Sequence, residues 1–229
     1  MGLERKMMPL LSMRPDIAIL SEVASPEKLR KKLPELSDLP IVWVGSNQNK
    51  GLAIISFTGS TLALDVSYRA ANQYIAPVLV TGQKAFRLLA VWDHNDRTTG
   101  LNRRPGPLLR ALDDSSEFYG QDDLVVAGDF NNNPQWDKPN GPNNMRTIAD
   151  ELMKRGVVSL YHKTTGLEFG AEERATYWHY RKQAMPYHID YVFVPTTWLT
   201  NMVSFEIGNF EDWCATGFSD HAPLIAEFS

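Results

Sequence analysis

The tightest constraint on this chain is a series of short apolar runs, each meeting a polar motif at one end. Asp16–Leu20 leads into Ser21-Glu22, Phe86–Trp92 into Asp93-His94, and Leu124–Ala127 into Gly128-Asp129-Phe130-Asn131. Asp190 interrupts Ile189–Val194, and Ser219-Asp220-His221 opens the run Ala222–Phe228. Runs this short, bounded by turn residues, read as buried strands. Further strand-like runs lie at Ile41–Val44, Leu52–Ser56, Leu62–Val66, Ile75–Val80, Val157–Tyr161, Ala175–Trp178 and Val203–Ile207. The close succession of the earlier ones predicts antiparallel neighbours joined by hairpins. About eleven strands overfill one sheet, so the expectation is an α/β fold with two packed sheets.

Helical spacing of Leu3, Met7, Leu10 and Leu11 predicts a helix over residues 3–13, stopped by Pro15. Ser25-Pro26 reads as the start of a second helix, ended near Pro34. Pro107–Phe118 and Met145–Lys154 read as two more, the last closed by Arg155-Gly156. Residues 131–144 form the longest loop, a length that usually marks function. Without a repeat or composition break, residues 1–229 read as one domain.

Composition narrows the chemistry. Cys214 is the lone cysteine, which excludes an intrachain disulfide and a cysteine-based zinc site. No apolar stretch approaches the roughly 20 residues of a membrane span. The N-terminal residues lack a signal-peptide layout, so a cytoplasmic protein is the default expectation. The net charge of −4 argues against a globally basic nucleic-acid binder. Charge is uneven, however. Residues 84–110 carry Lys84, Arg87, Arg97, Arg103, Arg104 and Arg110 against Asp93 and Asp96, and an acidic stretch follows. Such a basic segment beside His94 is compatible with a phosphate-backbone contact or with a solvated loop.

The polar motifs supply three aspartates, a glutamate, an asparagine and two histidines. Hard-cation ligands beside acid/base groups point to metal-assisted phosphate ester hydrolysis. Glu22 is a candidate metal ligand, and a sparse carboxylate site suits magnesium, with manganese as an alternative. Asp129 and Asn131 flank Phe130; with the ring anchored inward, carboxylate and amide share the rim. An Asx turn is the competing reading. Asp190, inside an apolar strand, requires a partner, and His221 is the candidate. His94 reads equally as an acid or a surface residue. Trp136 and the aromatic stretch containing Trp178 are candidate substrate contacts, the latter also readable as core.

The ordered set, above all Gly128-Asp129-Phe130-Asn131 and Ser219-Asp220-His221-Ala222-Pro223, resembles the endonuclease/exonuclease/phosphatase superfamily. The resemblance runs from Arg14 to Phe228 and implies a deoxyribonuclease I-like four-layer sandwich: two mixed sheets face to face, with helices outside. It implies that Glu22 binds the cation, with Asp220 nearby. Asp129 would activate water, Asn131 would hold the phosphate, and Asp190 would support His221. His94 matches more loosely, and His188 stands where many members carry arginine. The first strand usual in the family has no counterpart here, so an exposed sheet edge and self-association are expected. A nuclease using Arg97 and Arg103 is the favoured reading. A small-molecule or lipid-headgroup phosphatase and an inactive binding module are the alternatives.

Overall fold

The computed structural model describes residues 3–94, 105–119 and 123–229. Arg97 and Arg103 lie outside the described residues. The strands are β1 (Ile17–Val23), β2 (Ile41–Asn47), β3 (Lys50–Ser56), β4 (Thr61–Leu64), β5 (Ile75–Thr81), β6 (Phe86–Trp92) and β7 (Leu124–Asp129). They continue with β8 (Val157–Ser159), β9 (Tyr177–Trp178), β10 (Pro186–Tyr187), β11 (Asp190–Pro195), β12 (Met202–Ile207) and β13 (Leu224–Phe228). Helices are α1 (Met7–Ser12), α2 (Pro26–Lys32), α3 (Pro107–Asp114), α4 (Ser116–Tyr119), α5 (Met145–Lys154) and α6 (Leu160–Thr165).

Six strands form one mixed sheet in the order β4-β5-β6-β7-β11-β8, with β6 and β7 parallel and the other pairs antiparallel. The other large layer is in two pieces, β1-β3-β2 and β12-β13, and β9 pairs with β10 as a separate ribbon.

Strand alternation sorts the core into layers. On β6 and β7, Leu89, Val91, Leu124 and Val126 pack outward against Leu108 and Leu112 of α3 and Ile148 and Leu152 of α5. Their neighbours Leu88, Ala90, Val125 and Ala127 turn inward to meet Leu52 and Ile54 of β3 and, across from them, Ala226 and Phe228 of β13. Ala53 and Ile55 of β3 face Leu3, Met7, Leu10 and Leu29, closing the far side with α1 and α2. The result is helices, sheet, sheet and helices, the expected four-layer sandwich.

Local differences have local causes. The first predicted helix is a 3-10 turn, Leu3–Arg5, followed by the short α1. β1 continues past Leu20 through an irregularity where Glu22 takes φ 62°, so Glu22 lies inside the strand. The run Val157–Tyr161 splits, because Leu160 and Tyr161 begin α6. Pro107–Phe118 is likewise two helices, α3 and α4. The run Ala175–Trp178 keeps only two residues as strand, since Thr176 and Ala222 spend their backbone groups on other partners.

Candidate active site

The site forms where β7 ends and β11 begins. Gly128 pairs with Val91 across the parallel β6-β7 ladder. It has φ 136°, and a Cβ there would collide with the Val91 carbonyl oxygen. Only glycine permits this approach, and the next residue, Asp129, is thereby held opposite Asp190 of β11. Phe130 turns inward, buried against Tyr191 at 5.2 Å and Phe193 at 5.7 Å between ring centroids. Asn131 takes φ 47°. Its backbone N–H donates to Asp129 Oδ1 at 2.8 Å and its amide Nδ2 to Asp129 Oδ2 at 3.0 Å. Asx turn and functional pair are therefore the same structure: the turn brings amide and carboxylate together.

His221 Nδ1 donates to Asp190 Oδ2 at 2.9 Å. Burial pulls the imidazole pKa down, but the Asp190 charge and hydrogen bond, with Asp129 and Asp220, more than reverse this and lift it to about 9. The ring is a held imidazolium. Asp129 is buried; burial first, and then the Asp190 charge, push its carboxyl well above the usual range, against the pull of His221. Oxygen and nitrogen atoms of Asp129, Asp190 and His221 lie within 4.8 Å of one another, the one such three-residue group among the described residues.

Two positioning residues were not visible in the sequence. Thr176, fully buried, accepts hydrogen bonds through Oγ1 from the N–H groups of both Ile189 and Asp190, at 3.0 and 3.1 Å. Its carbonyl accepts from Ala222 N at 2.8 Å, so one residue ties the Asp190 strand to the His221 segment. Lys6 Nζ donates to Ser219 Oγ at 3.1 Å, and Ser219 Oγ in turn accepts from His221 N at 3.1 Å. Burial pulls the Lys6 pKa down against the opposing charges of Asp220 and Glu22. Only a helix-like pattern marked residue 6, and nothing in it signalled a site.

The remaining candidates divide. Glu22 is half-exposed and ion-paired with Lys50 at 2.7 Å. Glu22, Asp220 and His94 line the same cavity as Asp129 and His221. His94 is exposed and packs edge-on to Trp92 at 5.7 Å. Trp136 is exposed and lies 5.3 Å from Tyr187. Trp178 is corrected to a core residue: it is buried with Cys214 and Ala222 and packs on Phe210, away from the cavity. Arg110, expected in the basic loop, is spent on Asn72 Oδ1 and the carbonyls of Pro105 and Ala71. His188 is buried, its Nδ1 donating to the Arg174 carbonyl at 2.7 Å, which makes it part of the scaffold. Behind it, Asn133 donates to Glu172, which also meets His162 Nε2 at 3.2 Å.

This arrangement defines a class. Residues 10–221 match the Endonuclease/Exonuclease/phosphatase family, and the chain belongs to it. Among solved structures, it is similar to a 3′ phosphatase, NExo, from Neisseria bound to a product DNA hairpin. That likeness has 18% identity, TM-score 0.72, and covers 100% of this chain and 96% of the other. The 3′-5′ exonuclease NExo from Neisseria meningitidis gives 18% identity, TM-score 0.70 and coverage of 99% and 96%. The endonuclease domain of TRAS1, a telomere-specific non-LTR retrotransposon, gives 12% identity, TM-score 0.63 and coverage of 100% and 95%. No curated protein matches the chain. At these identities the structural likenesses establish the fold. No helix among the described residues is long and apolar enough to cross a membrane.

Proposed function

We propose that the protein is a divalent-metal-dependent phosphoesterase that hydrolyses nucleic-acid phosphodiesters by in-line attack of water. The observation that carries the nucleic-acid reading is an aromatic strip leading away from the catalytic histidine. Tyr177 lies 4.6 Å from His221, Tyr187 stacks 6.4 Å from Tyr177, and Trp136 lies 5.3 Å from Tyr187. All four line one cavity with Asp129. Aromatic faces in series accept nucleobases regardless of sequence.

The donor set fits a hard cation: carboxylates of Glu22, Asp129 and Asp220 border one cavity, and oxygen-rich sites of this kind take magnesium or manganese. Glu22 and Asp220 are the residues that would hold it. Bound there, such an ion would supply neutralisation of charge developing on the phosphate.

The chain's own residues do the rest. Asp129 orients the attacking water and takes its proton, which requires Asn131 to give up one of its two hydrogen bonds to that carboxylate. The freed Asn131 amide then donates to a phosphoryl oxygen. Asp190 fixes the His221 ring so that its imidazolium faces the phosphate and stabilises charge. His94, at the cavity edge, is placed to protonate a leaving oxygen.

The test is cleavage of supercoiled plasmid and single-stranded oligonucleotide with magnesium, beside EDTA and Asp129→Asn controls. Magnesium-dependent cleavage lost in both controls supports the reading. Turnover of small phosphate esters without cleavage of either nucleic acid would replace it with the phosphatase reading. Folded protein inert toward all of these would indicate a binding module.

A further inference from the structure

We propose that the second sheet is a strand acceptor: the gap between β1 and β13 binds one extended peptide segment of a partner, about six residues long and apolar on both faces. The cavity that begins at the active site has a volume of about 2070 Å³. It is lined by every residue of β1, Ile17–Val23, and every residue of β13, Leu224–Phe228. Neither strand pairs on that side: β1 pairs only with β3, and β13 only with β12.

The ladders show which backbone groups face the gap. Phe57 N donates to Asp16 O, which makes that pair hydrogen-bonded and, by the antiparallel register, turns the N–H and C=O of Ile17 and Ile19 away from β3. Gly208 N donates to Pro223 O, which by the same rule turns Leu224 and Ala226 away from β12. Two rows of backbone donors and acceptors thus confront each other across an unfilled space. Buried backbone groups without partners are rare, so this space asks for a strand.

The walls specify the occupant. One face of the gap is Leu88, Val125, Ala127 and Val194 of the six-stranded sheet, and the other is Leu3, Leu10 and Met13. A strand there has apolar neighbours on both faces, so the matching sequence is a continuous apolar run. At the rim the gap opens beside Glu22, Asp129 and Asp220, which favours a basic or neutral residue at that end of the segment. One added strand would join the three- and two-stranded pieces into six, equal to the facing sheet. Every described strand already has a partner, so a second copy has none to lend without opening its own sheet. A foreign segment meets no such obstacle.

The test is hydrogen exchange on the full chain with a synthetic peptide of six alternating valines and isoleucines, with lysine at both ends. A control peptide carries proline at alternate positions and cannot donate to a ladder. The expected result is at least tenfold slower exchange at the backbone amides of Ile17, Ile19, Leu224 and Ala226 with the first peptide and no change with the control. Equal slowing by both peptides, or none up to millimolar peptide, would overturn the proposal. So would protection of these amides without peptide in a concentration-dependent dimer, which would give the gap to a second copy. The readout is independent of catalysis, so failure of the phosphoesterase reading leaves it intact.

Discussion

Asp129 and Asp190 stand directly opposite each other as a cross-strand pair of β7 and β11. Like charges in that position repel, and here burial adds to the repulsion. The pair is held because His221 sits against Asp190 and Asn131 against Asp129. Asp129→Asn removes one charge and keeps the shape. The metal-free variant should melt at or above the wild-type temperature while turnover is lost. A melting curve and a cleavage assay on one preparation check both halves, and near-normal turnover in the variant would remove Asp129 from the mechanism.

The Asp190–His221 contact carries a second prediction. His221→Ala should lower turnover by at least about two orders of magnitude, the usual range for a positioned acid or base. Asp190→Asn should also slow turnover, because the neutral amide no longer holds the imidazolium, and the NMR-measured pKa of His221 should fall from about 9 toward the ordinary value. A loss below tenfold in His221→Ala would make the histidine a structural residue.

Glu172 sets an acid limit on stability. Burial pushes its carboxyl up, but hydrogen bonds from His162, the Gly170 N–H and Asn133 outweigh this and hold its pKa at about 2. A depressed carboxylate stabilises the fold above its unfolded pKa, 4.5, and that stabilisation is lost as pH falls toward 2. The amount is up to about 3 kcal/mol by pKa linkage. Melting temperature should therefore drop between these values in the wild type, and Glu172→Gln should be less stable at pH 7 with a flatter acid limb. Parallel acid limbs in the two proteins would refute the assignment.

What the sequence disclosed and what it hid follow from the range of the interactions involved. The strand runs are local patterns, and β5, β6, α5 and the core of β7 stand close to where periodicity put them. Asp129, Asn131, Asp190 and His221 announced themselves as polar residues at the ends of, or inside, apolar runs. Trp178 misled because alternation in a two-residue strand does not say which face meets the core. Thr176 and Lys6 were silent because their partners are remote in sequence: Lys6 reaches Ser219, and Thr176 reaches both Asp190 and Ala222. The break in the second sheet followed from a comparison with the family pattern, whereas its apolar walls and opposed edges needed three dimensions.

Gly128 fixes how closely β6 and β7 converge beneath the site. An alanine Cβ would strike the Val91 carbonyl and would also have to adopt φ 136°. Gly128→Ala should destabilise the fold by roughly 1–3 kcal/mol, the scale of strained backbone, and should reduce turnover more than that loss of folded protein explains. Val91 is backbone-limited at this contact, so a small side chain at position 91 should not rescue the variant. Rescue by Val91→Ala would show that the collision lies with the side chain.

Thr176 offers the most discriminating stability test. Its hydroxyl oxygen is the shared acceptor for the Ile189 and Asp190 amides in a fully buried position. Thr176→Val keeps the volume and strands both donors, which should destabilise by about 2–4 kcal/mol at the usual penalty for buried unsatisfied groups. Thr176→Ser restores the acceptor and leaves a methyl-sized void, so most of the stability should return. Because the same oxygen positions Asp190, turnover should follow the hydroxyl rather than the methyl: low in Thr176→Val and near wild type in Thr176→Ser. Equal stability and equal turnover in the two variants would mean that packing, not hydrogen bonding, holds Asp190 against His221.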